Sequence, residues 1–401
     1  MAAAQYLIVG GGLAAASAIE GIRELDQEGP ITLLAAERDL PYHRPPLSKS
    51  FLAGKDRVEA VRIHEAAWYP KNHVTVRLGQ TAKSVHIGKQ GVTLESGERV
   101  PYDRLLLATG CRARKLTAPG ADTPGVLYLR TLQDCYALRK AIKPGTRVVL
   151  VGGSFIGMEV AVTARRLGAE VTVLEVGPTV YPRFSDPSLS AFFQQLLESQ
   201  GITVRTGIRV ARFRAQDSKL AAAVTDDGEQ VPADLAVVGV GAEPNTDWLA
   251  TSGFSIDRGS LIVNVRLETA AKNVWAAGDI ARFPDPITKQ PGRLEHWDNA
   301  QAQGKQAGRN MAGADESYTH QSAFFSDLLD VTINVLGDTD KPDTVEIRGS
   351  TDVQAPNFTA LYGRGPRLMG AVMVNLNLVD RAAEFDQLQK HITAGTVPEK
   401  G

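Results

Sequence analysis

Apolar residues in this chain come in short, dense runs, and several of the runs stop at glycine. Tyr6-Leu7-Ile8-Val9 ends at Gly10-Gly11-Gly12, and Val148-Val149-Leu150-Val151 ends at Gly152-Gly153. Four apolar residues without polar alternation predict a strand covered on both faces, as in a parallel sheet. A helical period follows each glycine cluster, over residues 13–25 and 158–167. Further strands are predicted at 31–35 and 171–174. The chain thus holds two strand–turn–helix–strand units. Short strands are predicted at 74–78, 85–87 and 92–94. Two more apolar runs end in glycine, Leu105 through Gly110 and Leu235 through Gly241. Val274-Trp275-Ala276-Ala277 leads into Gly278-Asp279. Beyond about residue 320 the pattern changes. Strands at 331–335, 344–348, 358–362 and 368–374 read as antiparallel, with a turn at Arg364-Gly365-Pro366 and a last helix over about 380–391.

The two glycine turns carry a chemical expectation. A pyrophosphate is stabilised by the free N–H groups and the positive end of a helix N-terminus. Glycines let the backbone turn tightly and approach the phosphate. The first turn has the spacing Gly10-x-Gly12-x-x-Ala15, with Leu13 and Ala14 opening the helix. Glu37 follows the next strand, where a carboxylate accepts the ribose hydroxyls of an adenosine. In the second turn Ser154 stands where the middle glycine is usual. Its side chain can point away or donate to an oxygen. Phe155 and Ile156 follow the turn, and Glu175 closes the next strand. An acid there accepts from a 2′-hydroxyl and repels a 2′-phosphate, so NADH is expected over NADPH. Two such turns predict two dinucleotides bound side by side, the arrangement by which hydride passes from a nicotinamide to FAD.

Composition excludes several other classes. With 401 residues the chain is long enough for two or three domains. A formal net charge of −1 gives no reason to expect nucleic acid or a membrane surface as partner. No apolar run has the length of a bilayer span. The first strand begins by Tyr6, which leaves no room for a signal or transit peptide. Cys111 and Cys135 make neither a metal-ligand spacing nor a disulfide framework. No metal is expected, and a reducing cytoplasm suits such a chain.

Several runs resemble a known family: Pro41-Tyr42-His43-Arg44-Pro45-Pro46-Leu47-Ser48-Lys49, Ala108-Thr109-Gly110, Leu129-Arg130-Thr131, Phe155-Ile156-Gly157-Met158-Glu159, Ala277-Gly278-Asp279 and Glu295-His296-Trp297-Asp298-Asn299-Ala300-Gln301. Together they resemble the FAD-dependent NADH:ferredoxin, putidaredoxin and rubredoxin reductases of oxygenase systems, with apoptosis-inducing factor as a relative. The resemblance implies an α/β fold with two Rossmann-like dinucleotide-binding domains in a glutathione-reductase-like arrangement, plus a C-terminal α+β domain. It implies an FAD-binding domain in two parts (1–111 and 242–320), an NAD-binding domain (112–241) and a C-terminal interface domain (321–401).

The same resemblance implies roles. Glu37 would hold the FAD ribose, and Arg44 and Arg130 the adenine and pyrophosphate side. Lys49 would lie near flavin N5, with Glu159 beside it, and these two are the catalytic candidates. Asp279 would bind the ribityl or pyrophosphate region, and Trp297 would lie against the isoalloxazine. Gly10, Gly12, Leu13, Ala14, Ala82, Ala108, Glu295 and His296 complete the expected flavin contacts. Gly152, Ser154, Phe155, Ile156, Glu175, Arg183 and Gly241 complete those to NADH. The implied acceptor is a ferredoxin or rubredoxin-like protein taking single electrons, with the reductase a monomer or a dimer. Two alternatives stay open: a redox-sensing NADH-binding flavoprotein, and an NADH oxidase or disulfide reductase, which needs a reactive thiol. Two departures stand out. His43 replaces a common acid. Ser322-Ala323-Phe324-Phe325-Ser326-Asp327 replaces a run with two tryptophans, and leaves the acceptor open.

Overall fold

The computed structural model describes residues 5–399 apart from residue 185 and residues 377–379. The chain divides into two compact units. The first comprises residues up to His43 together with Glu59–Arg112 and Glu243–Phe324; the second comprises Arg44–Val58, Ala113–Ala242 and the chain from Phe325 on. The segment Arg44–Val58, which carries Lys49, thus falls in the second unit, although the sequence places it amid residues of the first.

The first unit is built on a five-stranded parallel sheet. Its spatial order is Val274–Ala276, Arg104–Leu107, Tyr6–Val9, Ile31–Ala35, Val74–Leu78. Leu105, Leu106 and Leu107 are each fully buried, as a strand covered on both faces requires. The apolar stretch expected to run to Gly110 stops pairing at Leu107, because Gly110 turns to φ +61° and Thr109 Oγ1 donates instead to the Asn245 carbonyl at 2.8 Å. The first helix is Leu13–Arg23, two residues shorter than its period suggests. Asp26 Oδ1 takes the N–H groups of Glu28 and Gly29 and turns the chain away.

That helix packs unusually closely on Trp297–Met311 of the same unit. A Cβ on Gly304 would stand 2.2 Å from the Ala14 carbonyl oxygen, and one on Gly308 2.1 Å from that of Ala18. Only glycine permits backbone on backbone here. The packing fixes the glycine-turn helix against a second, 15-residue helix.

The second unit holds another five-stranded parallel sheet, in the order Thr203–Arg205, Glu170–Leu174, Arg147–Val151, Leu235–Val238, Val126–Leu127. Its glycine-turn helix is Phe155–Arg166 and begins directly after Ser154, earlier than the expected 158. The C-terminal strands form an antiparallel sheet in the order Ala323–Leu328, Val331–Gly337, Arg367–Leu376, Asn357–Arg364, Thr344–Ser350. The last helix is Ala382–Ala394, ended by Gly395 at φ +68°. Phe192 packs edge-on against Phe358 at 5.1 Å, joining the helix Pro187–Glu198 to that sheet.

Two glycine cradles and a buried lysine–glutamate pair

In the first unit the C-terminal ends of three neighbouring strands converge. Gly10 follows Tyr6–Val9 at φ +136°, and a Cβ there would lie 2.1 Å from the Ala108 carbonyl oxygen. Gly10 N–H donates to the Leu34 carbonyl at 2.8 Å. Gly12 differs: a Cβ on it would meet nothing within 4 Å. The turn therefore packs its first glycine into protein and opens its third outward. No side chain caps the helix that starts at Leu13, and its first turn carries no acid. Its N-terminal N–H groups suit an anion. Gly278, at φ +76°, brings Asp279 to the same place, since a Cβ on it would lie 3.1 Å from Ala14 Cβ. Glu37 follows the adjacent strand, and its Oε2 accepts from Tyr42 Oη at 2.6 Å. Gly10, Gly12, Leu13, Ala14, Ala108 and Asp279 are thus brought together, with Glu37 on the same sheet edge. Ala82 starts a strand of a separate three-stranded sheet, Ala82–His86 paired with Gly91–Leu94.

Trp297 opens its helix, and its Nε1 donates to His43 Nδ1 at 3.3 Å. Indole nitrogen only donates, so that histidine nitrogen is the acceptor and carries no proton. Burial, then the nearby His64, pushes the His43 pKa below the ordinary histidine value. His296 is buried, with Nδ1 2.9 Å from Ser322 Oγ. Glu295 is exposed and pairs with Arg293 at 2.6 Å.

The second unit repeats the cradle with different details. Gly152 stands at φ +110°, and a Cβ on it would lie 2.5 Å from the Gly239 carbonyl oxygen. Ser154 Oγ donates to that same carbonyl at 3.2 Å. The serine thus ties its turn to the neighbouring strand's loop. Glu175 is 7% exposed; its Oε2 accepts from Gly153 N–H at 2.5 Å and its Oε1 from Gly177 N–H at 2.6 Å. Gly241, at φ +104°, faces open space. Phe155 rests edge-on against Tyr181 at 4.7 Å and Phe184 at 5.4 Å, while Ile156 is exposed. Arg183 is exposed, and its carbonyl accepts from Thr339 Oγ1 at 3.4 Å. Arg44 Nη1 donates to the Arg130 carbonyl at 2.5 Å, and Arg130 N–H to Asp134 Oδ2 at 3.0 Å.

Lys49 and Glu159 meet within this unit. Lys49 Nζ lies 3.1 Å from Glu159 Oε1 and 3.8 Å from Asp327 Oδ2. Both oxygens of the buried Glu159 are also held by hydroxyls. Ser48 Oγ donates to Oε2 at 2.5 Å, and Ser326 Oγ to Oε1 at 2.6 Å. Thr163, four residues on along the same helix face, donates to the Ser48 carbonyl at 2.7 Å. The Phe325 ring centroid is 5.7 Å from Lys49 Nζ. Sequence reasoning named the lysine and the glutamate but not Ser48, Thr163, Ser326 or Asp327. Ser48 lay inside the Pro41–Lys49 run; nothing in the sequence tied Ser326 to the pair.

Both thiols are buried. Cys135 is fully buried, donates to the Leu47 carbonyl at 3.2 Å, and burial pushes its pKa up to about 12. Cys111 is buried, with Sγ 3.7 Å from the Asp279 carbonyl oxygen. Among the described residues no group of three or more His, Cys, Asp or Glu could hold a metal, and no helix is long and apolar enough to cross a membrane.

The backbone cradles, their open glycines and the strand-end acids fit two dinucleotides. Residues 4–304 match the model of the pyridine nucleotide-disulphide oxidoreductase family. The chain is 33% identical to putidaredoxin reductase of Pseudomonas putida over 392 residues, which is 96% of this chain and 91% of that protein. It is 34% identical to the ferredoxin–NAD(+) reductase component of the anthranilate 1,2-dioxygenase system of Burkholderia cepacia, over 100% of this chain and 96% of that one. Its fold matches the crystal structure of the covalent putidaredoxin reductase–putidaredoxin complex with a TM-score of 0.91 at 31% identity, covering 98% of this chain and 93% of the other.

Proposed function

Because the chain belongs to the pyridine nucleotide-disulphide oxidoreductase family, we propose that it is an FAD-dependent oxidoreductase that takes hydride from NADH and passes single electrons to a small iron–sulfur protein, a ferredoxin feeding an oxygenase. One observation carries this most: two glycine cradles, each with its strand-end acid, in a chain that also holds a lysine on a buried carboxylate. The proposal assigns FAD to the first unit and NADH to the second, in the cytoplasm. It gives the C-terminal sheet the acceptor side.

Each residue has work it can do from where it stands. The Gly10–Gly12 turn and its uncapped helix take a pyrophosphate, and Glu37 takes ribose hydroxyls. Gly152 packs its turn on the neighbouring strand's loop, and Gly241 leaves room for the second dinucleotide. Glu175 holds Gly153 in register and places a negative charge where a 2′-phosphate would come. Bound FAD supplies the passage from a two-electron donor to one-electron acceptors. Lys49 supplies positive charge for a group that gains electrons, and Glu159 keeps that ammonium in place. The Trp297 ring is oriented by His43.

The disulfide-reductase alternative needs a thiolate. Cys135 is unsuited by its raised pKa; Cys111 is buried between the Asp279 carbonyl and Arg293 Nη1, 3.4 Å from its Sγ, and is the thiol to test. The test is to reduce the purified flavoprotein with NADH and follow transfer to several ferredoxins, a rubredoxin, quinone, ferricyanide and oxygen. Fast turnover with one iron–sulfur protein is expected. Loss of NADH reduction in Cys111→Ser, or turnover only with a disulfide, would overturn the reading; slow transfer to every acceptor would favour the redox-sensing alternative.

A further inference from the structure

The Lys49–Glu159 pair is held by a third party, and its source is unexpected. Glu159 sits on the helix Phe155–Arg166, and Lys49 and Ser48 lie on the segment just after the prolines. Ser326 belongs to the C-terminal strand Ala323–Leu328. It is 1% exposed and places its hydroxyl on Oε1, the same oxygen that Lys49 uses. A hydroxyl pointing at a carboxylate oxygen donates a short, strong hydrogen bond that fixes its orientation. With Ser48 on the other oxygen, the carboxylate plane is fixed at both ends. An anion 7% exposed is costly unless its lone pairs are met. Here two hydroxyls and one ammonium meet them. The flanking residues of the same strand face Lys49: Phe325 through its ring, and Asp327 at 3.8 Å with a carboxylate that is 39% exposed. Lys49 therefore stands between a buried acid and an exposed one, and the buried acid's orientation decides which it serves.

We propose that Ser326 is a positioning residue of the Lys49–Glu159 pair: its buried hydroxyl fixes Glu159 Oε1, so that Lys49 stays on Glu159 instead of relaxing toward Asp327. The strand thereby makes the C-terminal sheet part of the setting of the Lys49–Glu159 pair. The inference rests on the proposed reductase chemistry for its functional meaning, but its geometry can be tested without that chemistry.

Two measurements on the FAD-loaded protein serve. The first is competitive acylation of lysines by acetic anhydride, read residue by residue by mass spectrometry. An ammonium held by a buried carboxylate acylates slowly, so Ser326→Ala should raise labelling of Lys49 several-fold while other lysines stay unchanged. The second is stopped-flow flavin reduction over a range of NADH concentrations. In Ser326→Ala the limiting rate should fall several-fold while the apparent Kd for NADH stays unchanged. Ser326→Thr keeps the hydroxyl and should restore both readings. Unchanged Lys49 labelling with an unchanged limiting rate would overturn the proposal. So would a general rise in labelling with loss of bound flavin, which marks Ser326 as a packing residue. If NADH fails to reduce even the parent protein, the reductase reading falls, while the labelling still decides whether Ser326 holds the pair.

Discussion

The two glycine turns look alike in sequence and are secured differently. In the first, Gly10 packs against the Ala108 carbonyl, Gly12 is open, and the nearby acid Glu37 bonds a tyrosine hydroxyl outside the turn. In the second, the acid is built into the turn. Glu175 is buried and accepts two backbone N–H groups, one from Gly153 of the turn and one from Gly177 of its own loop. Ser154 adds a hydroxyl tie to Gly239. Both turns seat their first glycine on a neighbouring carbonyl; the first adds the Gly304 and Gly308 contacts behind its helix, the second side-chain hydrogen bonds. One motif can be held by sterics or by charge, and the two versions should fail in different ways.

The largest expected effect is on backbone shape. Gly10→Ala places a Cβ 2.1 Å from a backbone oxygen at a φ that side chains rarely adopt. Strain and overlap together should cost about 4 kcal/mol, and the purified protein should lack FAD. Gly152→Ala meets its carbonyl at 2.5 Å. It should leave a yellow protein that NADH reduces at least tenfold more slowly (roughly 1.4 kcal/mol or more in the barrier). Flavin absorbance after purification and stopped-flow reduction separate the two. A Gly10→Ala protein with full FAD, or a colourless Gly152→Ala protein, would break the assignment of the cradles.

Smaller effects should come from the acids. Glu175→Ala leaves one N–H of the second turn and one of its own loop without their acceptor and should cost about 2 kcal/mol. It should also relax the preference for NADH over NADPH. Glu37→Ala loses one half-buried tyrosine bond and should cost less than about 1 kcal/mol, with weaker FAD retention as its main sign. Melting temperatures and kcat/KM for both nucleotides test the ordering. Equal losses from the two variants would mean that Glu175 is not a structural member of its turn.

Much of this was legible in the chain. Runs such as Leu105-Leu106-Leu107, without polar alternation, announced parallel strands, and the glycine spacing announced the turns. What stayed hidden depended on three dimensions. The serine lock on Glu159 joins residues 48, 159 and 326, and no local pattern links a serine in a C-terminal strand to a carboxylate on a distant helix. The helix contact through Gly304 and Gly308 left a trace, two small residues four apart, but its meaning needs the facing carbonyls of Ala14 and Ala18. Element ends were missed where side chains take over from regular pairing, as at Asp26 after the first helix and Thr109 after a strand.

The smallest effect separates the units by pH. His43, in the first unit, accepts the Trp297 indole N–H through Nδ1, so it must be neutral to do so. Burial, then His64, lowers its pKa in the folded protein from 6.5. The unfolded chain therefore binds a proton at higher pH than the folded one. The contribution of His43 to stability is complete above about 6.5, the ordinary histidine value. It is lost progressively as pH falls from there through the lower folded value. Because the ring is half-buried and screened, the loss should be well under about 1 kcal/mol. His43→Gln offers Trp297 an acceptor that does not titrate. Between about pH 7.5 and 5.5, a range that brackets ordinary histidine titration, the parent should lose slightly more melting temperature than this variant. A first unit held by shape should lose this contact before any other change of its sheet or its turn. Parallel melting curves for the two proteins would show that His43 bears no titrating load, and that acid does not single out the first unit through this contact.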